Sequence, residues 1–285
     1  MPASNTSAAA PTPVPVSAAR AERDAIAAAA TAGALRRQPG GDPLTRARHI
    51  TAALNVGVID FGFFWATGVT NDGAIVVANS YGLAYIPGDV HLPDHIHMAT
   101  ADETIPPAER AKWATYPILA LQGWAEHRNC SLRAVVATEA QFASFDPGVA
   151  KIILQPDDIP ATGKMQGRSR LEVIAPAAAT RLASISDSGL TDLLPAAPTD
   201  TAAPVDESDT LWFEVTKPLM STHPQRAGAH LEAFITYADH AQARALYRAH
   251  TATDATTQRA AIADWVYWQH LGVLVTEAMT SGASV

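Results

Sequence analysis

Apolar positions along this chain change their period twice. From Ala18 to Arg37, alanine-rich turns with mixed charges predict a helix, and QPGGDP (38–43) ends it. Prolines and consecutive glycines do not sit inside a helix. A second helix is predicted over Leu44–Leu54. The period then shortens. VGVIDFGFFWATGV and AIVVANSYG are β-branched and aromatic runs separated by Thr70-Asn71-Asp72-Gly73. Asp-Gly between two such runs predicts a hairpin, since both residues tolerate positive φ. Pro106 and Pro107 suit the first turn of a helix that carries Trp113, Leu119 and Trp124 to about Asn129. LRAVVA (132–137) reads as a strand, and Thr138 with Gln141 as the capping box of a short helix. Asp146-Pro147-Gly148 turns the chain into another strand, VAKIIL, and RLEVI (170–174) reads as one more. After Pro176 the helical period returns and stays. Leu231, Phe234, Ile235, Ala238, Ala245 and Leu246 mark one long helix. Ile262 through Val275, apolar almost all round, marks a second with Asp254 as its cap. The two are expected to form an antiparallel helical hairpin.

This order predicts an α+β protein. A hairpin followed by β-α-β units gives one mixed β-sheet with right-handed crossovers, flanked by N-terminal helices and the C-terminal hairpin. A deaminase-like topology is compatible with it. Residues 1–17, with Pro2, Pro11, Pro13 and Pro15, read as a disordered Pro/Ala-rich linker. Residues 18–185 read as the α/β domain with its N-terminal helices. An acidic, Pro-rich connector spans 186–209, and a helical extension spans 210–285.

The 285 residues are 48% hydrophobic and 17% charged, enough for a large core and too apolar for general disorder. The formal charge is −8, and no Lys or Arg occurs between Arg48 and Arg110 or between Arg181 and Lys217. Phosphate tracking needs a basic stripe, so nucleic acid is excluded as a general partner. The most apolar stretch, AAIADWVYWQHLGVLV, is interrupted by Asp264, Gln269 and His270 and is too short for a membrane span. Without a basic region followed by an apolar run at the N-terminus, no signal peptide is expected, and the protein is expected to be soluble and intracellular, or exported without a cleaved signal. The single Cys130 supports neither an internal disulfide nor a cysteine-rich zinc cluster.

Candidate chemistry is sparse. HLPDHIHM holds His91, Asp94, His95 and His97, but in a Pro- and Gly-flanked loop and at no zinc-motif spacing. A small-molecule or metal-binding enzyme using the His91–His97 loop is the alternative reading, and no metal, cofactor or catalytic residue is assigned. Ala78-Asn79-Ser80-Tyr81-Gly82 has the outline of a nucleophile elbow. Pro87 and Gly88 follow too soon for the helix that the elbow requires at Ser80. Gly163 to Ser169 is one residue short of a phosphate loop and reads as a basic turn, with Lys164, Arg168 and Arg170 able to meet an acidic surface. An active zinc deaminase would need His-x-Glu and Pro-Cys-x-x-Cys, and the chain has Glu126-His127 and one cysteine. Trp265 and Trp268, on the most apolar helix, are the first candidates for a protein interface, one expected in the core and the other partly accessible.

Long strings carry a resemblance. TGVTNDGAIVVANSYGLAYIPGDVHLP, ATYPILALQGWAEH, LRAVVATEAQFASFDPGVAKIILQPDDIPATGKMQGRSRLEVI, LWFEVTKPLMST and HTATDATTQRAAIADWVYWQHL are similar to the C-terminal region of the EspK family. These are secretion-associated proteins of the mycobacterial ESX (type VII) systems. The resemblance runs from about Val14 to the end. It implies a non-enzymatic adaptor or chaperone-type protein, cytoplasmic or co-exported. Such a protein would bind an EspB-like secreted substrate, mainly through a part these strings do not cover, and would engage the EccC-type ATPase. Tyr85 and Asp89 fit the Tyr-x-x-x-Asp pattern of type VII export signals, but Tyr85 precedes a Pro-Gly loop instead of following a helical hairpin.

Overall fold

The computed structural model describes residues 42–58, 60–143, 145–158, 165–197, 202–221, 223 and 225–282. The expected linker, the Ala18–Arg37 helix and Lys164 lie outside them. Helix α1 (Pro43–Leu54) begins on a proline, whose missing N–H costs nothing there. Asn55 follows it and ties it to the sheet. Its side-chain amide donates to the Thr51 and Trp65 carbonyls at 2.8 and 3.1 Å, and its Oδ1 accepts from the Trp65 N–H at 3.0 Å.

Strands β1 (Trp65–Thr70) and β2 (Ile75–Asn79) form the expected antiparallel hairpin, with Trp65 opposite Asn79. Gly73 takes φ +89° in the turn, and the Thr70 N–H closes it on the Ala74 carbonyl. Strand β3 (Ile96–Met98) lies parallel to β2. Helices α2 (Pro107–Ala111) and α3 (Pro117–His127) follow. Strand β4 (Leu132–Ala137) is antiparallel to β1, helix α4 (Glu139–Ala143) is short, and β5 (Ala150–Ile153) is parallel to β4. The sheet order is β3-β2-β1-β4-β5. Both faces are covered, which is why β1 and β2 are buried at every position and show no alternation of apolar and charged residues. On one face Ala66, Val76, Ala78, Val135 and Ala137 pack against Ile118, Leu121 and Trp124 of α3. On the other, Trp65, Ile75 and Val77 meet α1 and the C-terminal helices.

Three expectations are corrected. RLEVI is a helix, α5 (Arg170–Ile174), because Ser169 and Glu172 form a reciprocal capping box. The Ser169 N–H donates to the Glu172 carboxylate at 2.6 Å, and the Glu172 N–H donates to the Ser169 hydroxyl. The fifth strand is instead IHM (96–98), expected as loop, so the sheet extends beyond the hairpin at β3. The single helix expected from Pro106 to Asn129 is two, since a residue before proline is driven out of the α region and Thr115 takes φ +69°.

Beyond α5 come α6 (Pro176–Ser184), a 3-10 turn (Asp187–Leu193), α7 (Ser208–Thr216) and a second 3-10 turn (Lys217–Met220). Helices α8 (Arg226–Thr251) and α9 (Ala255–Gly282) form the hairpin. Asp254 caps α9 as expected, accepting the Thr257 N–H at 2.8 Å. The hairpin does not stand apart from the sheet, because Phe234, Tyr267 and Trp268 share one core cluster with Trp65 and Tyr81. The Tyr267 hydroxyl accepts the Ile86 N–H at 2.8 Å and donates to the Ile86 carbonyl at 3.1 Å. It thereby pairs α9 with the backbone that follows β2.

Within α3, glycine is dictated by closeness. A Cβ at Gly123 would stand 2.1 Å from Trp113 Cζ2. Gly123→Ala is therefore expected to displace the indole and cost about 1–3 kcal/mol, as overpacking does. Urea unfolding checks this, and a cost below about 0.5 kcal/mol, typical of an inconsequential surface change, would mean that Trp113 swings away freely.

Candidate interaction site

The two tryptophans of α9 separate. Trp268 is buried, with ring centroids 5.4 Å from Tyr237, 6.2 Å from Tyr85 and 6.3 Å from Phe234. Trp265, three residues earlier and so turned about 60° around the helix, stays half-buried. Val266 and Val273 are seven residues apart on one outer face with His270 between them, and Val273 is 53% exposed. Helix α9 is nonetheless largely covered within the chain.

The basic turn is engaged internally where it is described. The Arg170 guanidinium lies 4.2 Å over the Tyr267 ring and donates to Asp264 Oδ1 at 2.7 Å, and Arg248 reaches the same carboxylate. Arg170 thus fastens α5 to α9. Arg168 donates to the Ile96 carbonyl at 2.6 Å, holding the outer edge at β3. Neither side chain projects freely toward a partner.

The histidines do not converge. Along β3 the pleat buries Ile96 and Met98 and turns His97 outward, and His95 and Asp94 are exposed. His97 packs on Trp124 at 5.4 Å, and burial, with Arg128 nearby, lowers its pKa. Among the described residues no three His, Cys, Asp or Glu side chains come together to hold a metal. Burial, with Asp72 nearby, pushes the Cys130 thiol up, away from a reactive thiolate. Tyr85 of the Tyr-x-x-x-Asp match belongs to the core, its ring between Phe63, Trp212, Phe234 and Trp268.

Sequence reasoning missed a cleft of about 400 Å³ where the first residues of α3 face the first residue of α8. It lies at the carboxyl ends of β2 and β4, which flank β1 on either side, and is marked there by Ser80 and Thr138. Phe64, Leu119, Phe145 and Leu219 give it apolar walls, and Arg226 is the charged residue of its lining. Ser80 is no nucleophile here. Its hydroxyl donates to the Gly62 carbonyl at 2.6 Å and accepts the Phe64 N–H, and no histidine lines the cleft. One signal could have pointed to this place: Thr115-Tyr116-Pro117, where helix must stop and restart.

Comparison with known proteins agrees with this architecture in extent. The family model described as the EspK C-terminal domain matches residues 54–280. The ESX-1 secretion-associated protein EspK of Mycobacterium tuberculosis is 56% identical over 257 residues, which are 89% of this chain and 36% of that protein. An uncharacterized protein of Mycolicibacterium smegmatis is 53% identical over 247 residues, 85% of this chain and 33% of its own length. The chain thus spans about a third of the length of the curated relatives it matches. Across residues 54–280, from the end of α1 to the last turns of α9, the chain belongs to the EspK C-terminal domain family.

Proposed function

We propose that the chain is a non-enzymatic adaptor domain of type VII (ESX) secretion, working in the cytoplasm and docking an EspB-like escorted substrate to the EccC-type ATPase. The observation that carries this reading is the family match across residues 54–280, together with the secretion-associated name of a relative 56% identical. The site supports it by what it offers chemically: a half-buried indole at Trp265, and a serine whose hydroxyl is already spent. Among the described residues no helix is long and apolar enough to cross a membrane.

The test is affinity capture from a mycobacterial lysate, scored for the EccC-type ATPase and for EspB. Trp265→Ala is expected to reduce ATPase recovery about tenfold while leaving the urea midpoint near that of the unaltered chain, as for an interface aromatic. Unchanged recovery would move the docking surface away from α9. Capture by the unaltered chain that contains neither component would overturn the adaptor reading. Metal analysis of the purified chain tests the enzyme alternative, since a stoichiometric metal held by His95 and His97 would favour it.

A further inference from the structure

Helix α3 opens on the cleft without a side-chain cap. Pro117 fills its first position, and the amides of Ile118 and Leu119 that follow have no acceptor among the described residues. A helix of 11 residues concentrates partial positive charge at this end, and free amides there favour an anion. Thr115 supplies an independent sign of a ligand. It lines the cleft, is 4% exposed, and its hydroxyl has no hydrogen-bond partner. Its φ of +69° is one that a β-branched residue rarely adopts. Strain and an unmet hydroxyl coincide at one residue, which is a pattern of binding sites.

Arg226 faces the same space. Its guanidinium lies 4.6 Å over the Tyr116 ring and donates from Nη1 to the Ser221 carbonyl at 3.4 Å, its Nε has no partner, and no carboxylate pairs with it among the described residues. It is also the first residue of a 26-residue helix, where the dipole opposes a cation. Helix stability therefore does not account for its placement. No Asp or Glu lines the cleft to neutralise it. The volume lies within the range of small-ligand sites, which are apolar with a few convergent polar groups.

We propose that this cleft binds a carboxylate carried on an apolar group. The carboxylate is held by the α3 amides, the Thr115 hydroxyl and Arg226, and the apolar group lies among Phe64, Phe145 and Leu219. The same chemistry is offered by a free branched or aromatic acid and by the last residue of a peptide. Phe61 and Met220, 54% and 52% exposed beside Gly62 and Leu219, would extend the apolar surface under a peptide. The site is independent of the adaptor reading and stands or falls by direct binding.

The experiment is a titration of the ¹⁵N-labelled chain followed by amide chemical shifts. The probes are 4-methylpentanoate, the neutral 4-methylpentanamide, and an acetylated pentapeptide ending in leucine. The acid is expected to shift the Ile118 and Leu119 amides saturably, with the amide at least about tenfold weaker, since charge-assisted bonds to the carboxylate carry the affinity. A pentapeptide about tenfold tighter than the acid assigns the site to a polypeptide end, through the added apolar area on the rim, and equal or weaker binding assigns it to a free acid. Arg226→Gln is expected to weaken the acid about tenfold. Thr115→Gly removes the hydroxyl and relieves the positive φ, so it is expected to weaken binding several-fold, about 3–5, while raising stability. Equal affinity for acid and amide, or no saturable shift at α3 up to about 20 mM of any probe, well beyond the millimolar weak-binding range, would overturn the proposal.

Discussion

Phe234→Ala is expected to destabilise the protein by about 3–5 kcal/mol and to lower Tm on the order of 10 °C. Phe234 is fully buried where the helical hairpin meets the sheet. Its ring sits 5.5 Å edge-on from Tyr85, 5.9 Å from His230, and 6.3 Å from Trp268. It also covers Gly82, whose φ is +60° and where an added Cβ would come within 3.2 Å of the ring. Gly82 thus lets the backbone after β2 approach α8 closely, and Phe234 fills the resulting space. Truncation would leave a void walled by rings that cannot close in together. Phe213→Ala on α7, at 53% exposure, is the contrast, expected to cost no more than about 0.5 kcal/mol. Paired urea and thermal melts measure both. Similar losses for the two would mean that the hairpin is held to the sheet by something other than this cluster.

Lowering the pH from 7 to 5 is expected to remove about 2 kcal/mol of stability through His230 alone. This imidazole is completely buried, and burial depresses its pKa to about 4. It is held neutral between two backbone groups. Nε2 accepts the Gly82 N–H at 2.8 Å, and Nδ1 donates to the Val215 carbonyl at 2.8 Å. The unfolded chain takes up the proton near pH 6.5, at the ordinary histidine value. Between that pH and about 4 the unfolded state holds more protons than the folded state. Stability is therefore complete above the unfolded value, falls as pH drops through the window, and levels off below the folded value. Asp102 and Asp158, whose pKa values lie below the ordinary range, act in the same direction at lower pH. Urea unfolding at pH 7, 6 and 5, with His230→Gln as the reference, isolates the histidine. The variant is expected to be weaker at pH 7 and to keep only a shallower slope, to which His97, its pKa also lowered by burial, contributes. An equal slope in both proteins would assign the acid sensitivity elsewhere.

Much of this fold was legible in the sequence because its determinants are local. Asp72-Gly73 between two β-branched runs sets the hairpin, since the turn must take positive φ and its flanks favour strand. Asp254 and the apolar period after it place the start of α9 for the same kind of reason. Where two local signals competed, the reading followed the wrong one. RLEVI has a strand composition, but Ser169 and Glu172 satisfy the first amides of a helix, and hydrogen bonding outweighs a weak preference of side chains. In the helix expected after Pro106, apolar spacing masked Tyr116-Pro117, whose steric clash ends one helix before the next begins.

Tertiary structure alone decided what each site residue became. Trp265 and Trp268 are equivalent in sequence, and only the direction of α8 makes one core and leaves the other at an edge. Arg170 reads as a free cation until α9 brings Asp264 and the Tyr267 ring to it. His230 carries no local mark of burial, because the groups that enclose it come from Gly82 and Val215, 148 and 15 residues away. The cleft is the extreme case. Thr115, Ser80 and Arg226 lie on separate stretches with no common spacing, and only packing α3 and α8 against the ends of β2 and β4 gathers them. The sequence by itself determined most of the elements and the family, because backbone sterics, turn chemistry and family-like strings are properties of neighbouring residues. Only the packed chain decided which charges are neutralised, which aromatic edges face outward and where an anion can be met, because those depend on groups far apart in the chain.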